Sequence, residues 1–151
     1  AVVSFTTIVK APARVLPRAL LEQIDVVIAN ETEVLVLTGA DEVGVHTASV
    51  ACRPLLEAGV ETVITTLGKE GALVTSGAGA SRVPGFKVRA IDTTAAGDTF
   101  AGAVACSLAE GNDIETAVCF GNAAAALSAT HQGAQISMPT REEVDALVKA
   151  G

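Results

Sequence analysis

Few folds accommodate the alternation that runs through the first half of this chain. Arg18–Gln23, introduced by Pro17, offers Leu20, Leu21 and the following Ile24 to one buried face, and Asp25-Val-Val-Ile-Ala29 then reads as a short buried strand. Glu31–Thr38 is a short helix closed by Gly39, whose missing Cβ suits a left-handed C-cap. Thr47–Ala58 predicts a longer helix ending at Gly59, with Pro54 inside it removing an amide donor and giving a kink or a late start. The β-branched run Glu61-Thr-Val-Ile-Thr-Thr-Leu67 is the next strand, and a Gly68-Lys-Glu-Gly71 turn leads into Ala72-Leu-Val-Thr75. Ser76–Ser81 is read as a turn and Arg82–Ala90 as extended. From Asp98 the pattern changes to two closely packed helices of small residues, Asp98–Ala109 and Asp113–His131, broken at Glu110-Gly-Asn112. A last helix, Arg141–Lys149, starts with Thr140 and Glu143 in capping-box spacing. Helix and strand in alternation predict an α/β layered domain, with no linker dividing the chain.

Composition narrows the function. The chain has 151 residues, 50% hydrophobic and 18% charged, with a net charge of −7, which supplies ample core and argues against disorder. No Lys/Arg cluster is present, so neither a nucleic acid nor an anionic membrane is an expected partner. Apolar runs fall well short of a spanning helix and Ala1–Val9 has no export pattern, so a soluble, cytoplasmic protein is expected. Cys52, Cys106 and Cys119 have no CxxC spacing and are expected as buried small apolar residues in a reducing compartment. His46 is expected at the surface.

The stretch richest in chemistry is Ala90-Ile-Asp-Thr-Thr-Ala-Ala-Gly-Asp-Thr-Phe-Ala-Gly102. A helix opening near Asp98 directs backbone N–H groups at an anion, and Ala95, Ala96 and Gly97 permit close approach. Asp98 fits two roles there: a base taking a proton from a substrate hydroxyl, or an N-cap satisfying orphan amides. Asp92 fits a turn. Asn122 is polar within an apolar helix, and if buried it needs a partner, which points mildly to a ligand.

Asp92-Thr-Thr-Ala-Ala-Gly-Asp98 resembles the DTxxAGD loop of the ribokinase-like, or PfkB, sugar kinase family. Asn30-Glu-Thr-Glu33 resembles the family's NxxE motif, Thr66-Leu-Gly-Lys-Glu-Gly71 its TxGxxG segment, and Gly133-Ala-Gln-Ile-Ser-Met-Pro139 the tail of ribokinases. The motifs occur in family order, from about Ala11 to Leu147.

The resemblance implies a partial three-layer ribokinase-like α/β fold, with residues 1–151 as the C-terminal, ATP-binding part. It implies ATP-dependent transfer of the γ-phosphate to a sugar hydroxyl, with D-ribose giving ribose 5-phosphate. Ala95-Ala96-Gly97 and the Gly133–Pro139 tail are closer to ribokinases than to fructokinases or nucleoside kinases. By the same resemblance Asp98 is the base and Ala95, Ala96 and Gly97 supply anion-hole amides. Asn30 and Glu33 serve the Mg²⁺–phosphate region through water, and Thr66, Gly68 and Gly71 lie along ATP. Asn122 is near the adenine, with Val83, Ala123 and Ala126 as candidate walls. Asp92, Thr94, Ser128, His131, Gly133 and Ser137 surround K⁺, several through backbone oxygens, with no chemistry assigned to the His131 ring.

Each short motif also has an ordinary reading. Asn30–Glu33 is a good helix start, Thr66–Gly71 a strand-to-strand turn, and Ala123 and Ala126 can be core. Val9-Lys10-Ala-Pro-Ala-Arg14 departs from the family's Asn-Pro, and nothing resembles the family's sugar-binding half and lid. Isolated, the chain is therefore expected to have weak or no sugar kinase activity, and an exposed sheet edge makes a homo-oligomer one expectation. The other classes open are a non-catalytic nucleotide-binding module, a kinase for another sugar or nucleoside, and an assembly unit.

Overall fold

The computed structural model describes residues 8–10 and 14–151, so Val9-Lys10, where the chain departs from the family's Asn-Pro, falls in a strand, and the Ala-Pro-Ala that follows lies outside the described residues. The chain forms two compact units. One comprises the residues up to Leu67 together with Leu73–Arg82, and the other Gly68–Ala72 with Val83–Gly151.

The first unit holds a five-stranded sheet in the order β1-β2-β3-β4-β5, from Ile8–Lys10, Val26–Asn30, Thr62–Thr66, Ala72–Ser76 and Gly79–Val83. β1, β2 and β3 are parallel, with Val27 opposite Val63 and Asn30 opposite Thr66 at the carboxyl ends. Val27, Ile28, Val63 and Ile64 are all buried, and because successive side chains point to opposite faces, both faces of these strands are covered. That is why the two strands read as continuous apolar runs. On one face Val27, Ala29 and Val63 pack with Leu21 of α1 (Arg18–Leu21), Val34 and Leu37 of α2 (Glu31–Thr38) and Leu55 of the later helical segment.

That later segment is not one helix. It divides into α3 (Ala48–Ala51) and α4 (Arg53–Glu57), with Pro54 in the first turn of α4, where its missing N–H is not needed by the helix. The proline therefore restarts the helix. A second difference concerns Ser76–Ser81: β5 begins at Gly79, the turn shrinks to Gly77-Ala78, and no strand continues through residues 84–90. Small residues there suggested a loop, and cross-strand pairing overrode that weak local preference.

The second unit is helical. α5 (Ala96–Ala109) and α6 (Ile114–Ala129) lie close because α6 presents glycine at the contact: a Cβ at Gly121 would stand 2.7 Å from Val104 Cγ2 and 3.0 Å from the Phe100 ring. Asp113 caps α6 by accepting from the Thr116 N–H at 2.8 Å. α7 (Arg141–Ala150) opens with the expected Thr140–Glu143 capping box and buries Val144 against Ala123 and Ala124. Arg141 sits 4.6 Å over the Phe120 ring and pairs with Glu110 and Asp145, tying α7 to its neighbours.

Cys52 is buried, its Sγ 3.4 Å from Thr65 Oγ1, and burial pushes its thiol pKa up. Cys119 is half-buried, whereas Cys106 is exposed on α5, contrary to expectation. Small-residue helices expose some positions simply by periodicity. His46 is exposed as expected. Among the described residues no helix is long and apolar enough to cross a membrane.

Candidate active site

In the first unit, Asn30 and Thr66 end adjacent parallel strands in register, at the edge where open α/β sheets bind ligands. Asn30 is also the N-cap of α2. Its Oδ1 accepts from Glu33 N–H at 2.9 Å, and Glu33 Oε2 accepts from Asn30 N–H at 2.8 Å. The helix-start reading of Asn30–Glu33 is thus realised in full. The other Glu33 oxygen lies 3.6 Å from Lys10 Nζ on β1, a partner the sequence did not signal.

In the second unit, Gly68 opens a single 3-10 turn, Gly68–Glu70, with Gly71 directly after it. Gly71 has φ +92°, and a Cβ there would stand 2.2 Å from the Val83 carbonyl oxygen and 2.4 Å from Gly85 N. No other residue fits. Asn122 is buried, and its Nδ2 donates to the Val83 and Pro84 carbonyls at 3.1 and 3.2 Å. Its burial is therefore answered by the chain's own backbone, and the inference from burial to a ligand lapses. Val83 and Ala123 are buried, Ala123 within the α6–α7 core, and Ala126 is half-buried.

The loop before α5 is the most organised part. Ile91 and Asp92 N–H donate to the Ala129 carbonyl at 2.7 and 3.2 Å, anchoring the loop to the end of α6. Asp92 Oδ1 accepts from Thr94 Oγ1 at 2.6 Å and Thr94 N–H at 3.0 Å, and Oδ2 accepts from Gly133 N–H at 3.1 Å. These bonds, the Thr94 hydroxyl first, hold the Asp92 carboxyl down from 3.8 to about 2. Asp92 is more than a turn residue: it joins the loop to the segment following α6.

α5 starts at Ala96, two residues earlier than expected, and its N-cap is Ala95, which has no side-chain acceptor. Asp98 is the exposed third residue of the helix, so the N-cap reading does not hold for it. Gly97 N–H, in the first turn, has no acceptor among the described residues, and the position is open to solvent. Ala95, Ala96 and Gly97 thus bring small side chains beside a carboxylate, but the Ala96 N–H donates to the Thr93 carbonyl at 3.2 Å, contrary to the expectation that it serves an anion, so the open first-turn amide is that of Gly97.

Ser128 and Ser137, both buried, meet at 3.0 Å. The His131 Nδ1 lies 3.0 Å from Thr130 Oγ1 and 3.2 Å from the Leu127 carbonyl, folding the ring back onto the end of α6. Thr99 was missed. Its hydroxyl donates to Ser128 Oγ at 3.4 Å, and the available signal was a polar residue directly after Asp98 in an otherwise small, apolar helix.

A model of the pfkB family carbohydrate kinases matches residues 3–141. The chain belongs to that family. A ribokinase of Haemophilus influenzae is 45% identical over 88% of this chain and 44% of its own length. The crystal structure of a Thermotoga maritima ribokinase superposes with a TM-score of 0.83 at 42% identity, covering 91% of this chain and 46% of that one. An Arabidopsis thaliana ribokinase complexed with ribose and ATP gives a TM-score of 0.86 at 33% identity, covering 94% and 46%. The chain is a partial ribokinase-like fold and spans less than half the length of these relatives.

The donor sets around the pfkB motifs can be weighed against the cations the family implies. Among the described residues no three His, Cys, Asp or Glu side chains converge on a metal. Glu33 is engaged on both oxygens, which fits a Mg²⁺ held through water and phosphate and not by a protein cage. At Asp92 the side-chain ligating atoms are oxygens, its own carboxylate and the Thr94 hydroxyl, and the low pKa keeps the carboxylate charged, which fits an alkali cation.

Proposed function

We propose that this chain carries the phosphoryl-transfer half of an ATP-dependent sugar kinase, with D-ribose as acceptor. The observation that carries the reading is Asp98 in the first turn of α5, beside Gly97 and the helix-start amides, within a family-matching loop.

In this reading the Asp98 carboxylate takes the proton of the ribose 5-hydroxyl as that oxygen bonds to the γ-phosphorus. The bond from the γ-phosphorus to its bridging oxygen breaks, and ADP leaves. Ala95 and Gly97 direct backbone amides at the charge that grows on the transferring group, while the Ala96 N–H braces the turn by donating to the Thr93 carbonyl. Asn30 and Glu33 orient water around the phosphates, and bound Mg²⁺ supplies charge neutralisation there. Thr66, Gly68 and Gly71 line the phosphates, while Asn122 stiffens the Val83–Pro84 backbone along the adenine side. Asp92, Thr94, Ser128, His131, Gly133 and Ser137 would hold K⁺, several of them through backbone oxygens. Without groups to hold the sugar, residues 1–151 alone bind nucleotide and transfer phosphate weakly or not at all, since positioning accounts for much of such catalysis.

The test is Asp98→Asn in the complete gene product. Turnover is expected to fall about 100-fold or more while the Kd for ATP, measured by calorimetry, stays within about twofold. Unchanged turnover removes Asp98 from the role of base, and absent heat with Mg²⁺ and an ATP analogue at millimolar nucleotide removes the nucleotide site itself.

A further inference from the structure

A buried line of hydroxyls links three separate segments of the second unit. Thr99 Oγ1 on α5 donates to Ser128 Oγ on α6 at 3.4 Å, Ser128 Oγ meets Ser137 Oγ at 3.0 Å, and Ser137 Oγ donates to the Ala134 carbonyl at 2.7 Å. The three residues are 7%, 1% and 3% exposed. Each hydroxyl has one proton. Because Ser137 gives its proton to Ala134, Ser128 must give its own to Ser137 and receive that of Thr99. The line therefore has one direction, and aligned hydroxyls of this kind polarise one another in a low-dielectric interior.

Thr99 follows Asp98 directly, and its own N–H makes the helix bond to the Ala95 carbonyl at 2.9 Å. The far end of the line lies in the Ala134–Ser137 segment, just past Gly133, which donates to Asp92. The first turn of α5 is thus fixed from below by hydroxyls and from its preceding loop by Asp92. We infer that Thr99 and Ser128 are positioning residues that hold the first turn of α5, and with it Asp98, against the segment after α6. Neither side chain reaches the reacting atoms in this arrangement; both act through the helix start. The kinetic part of the inference rests on the proposed kinase reading.

The variants are Thr99→Val, which keeps shape and removes the donor, Thr99→Ser, which keeps the hydroxyl, and Ser128→Ala. In the complete gene product, kcat for ribose phosphorylation is expected to fall about three- to tenfold in Thr99→Val and Ser128→Ala, the range of one net hydrogen bond. KM for ATP and ribose should stay within about twofold, Thr99→Ser should restore kcat, and the double variant should be no worse than Ser128→Ala, because the line is already broken. Independently of activity, amide exchange at Thr99 and Phe100 should quicken by a similar factor while Val104 and Leu108 stay unchanged. Wild-type kcat in both variants, no recovery with Thr99→Ser, or exchange that rises uniformly along α5 overturns the inference. Asp98→Asn in the same assay separates the two levels: if it is silent the kinase reading fails, and the exchange pattern alone decides the hydroxyl line.

Discussion

Asp92 accepts three hydrogen bonds from Thr94 and Gly133, and these draw its carboxyl pKa from 3.8 to about 2. A group held lower in the folded than in the unfolded chain favours folding above the unfolded value, and that contribution is lost as pH falls from 3.8 through about 2. Thermal midpoints of wild type and Asp92→Asn should therefore differ most above pH 4 and converge toward pH 2; a constant difference would show that the carboxylate charge is not what braces the loop. Local residues marked Asp92 only as a turn residue, and its partner Gly133, 41 residues away, was brought beside it by the family resemblance alone. Asn122 repeats the lesson. The surrounding alanines left its burial open, and its acceptor carbonyls, 39 and 38 residues distant, were not written beside it. Interactions within one turn are written in adjacent residues, and those across the fold depend on packing.

At the scale of elements, the helix starts were the most legible part, since a capping box needs only residues three apart. Asn30–Glu33 and Thr140–Glu143 both form as read. Elements that depend on neighbours were less so: β5 exists because β4 lies beside it, and the two short helices around Cys52 exist because Pro54 restarts the chain's winding. The proposed double duty of Asn30 can be separated by chemistry. Ser caps helices about as well as Asn, whereas Ala loses about 1 kcal/mol. Asn30→Ser should keep the thermal midpoint and, in the complete gene product, lower turnover through the lost carboxamide; Asn30→Ala should lower both. Equal turnover in Asn30→Ser and wild type would assign Asn30 to the cap alone.

For the molecule as a whole, the alternation of helix and strand sufficed to predict the α/β class, and the resemblance of four ordered motifs sufficed for the family. What neither contained was the division into two compact units, which arises from how distant segments close on one another. The net charge of −7 sets a further expectation. A phosphate site made of backbone amides in an acidic protein gains nothing from long-range attraction, so screening should not weaken it. The Kd for Mg²⁺·ATP should hold or tighten as tetramethylammonium chloride is raised from low to moderate concentration; clear weakening would point to cationic side chains at the phosphates. The meeting of Gly71 and Gly85 has a consequence for variation. A Cβ on Gly71 would strike the backbone at Gly85, and a Cβ on Gly85 would come within 2.6 Å of the Lys69 carbonyl oxygen. Neither change makes room for the other, so no compensating pair exists: in a library randomised at both sites, every folded survivor should encode glycine twice, and neither position is free to drift.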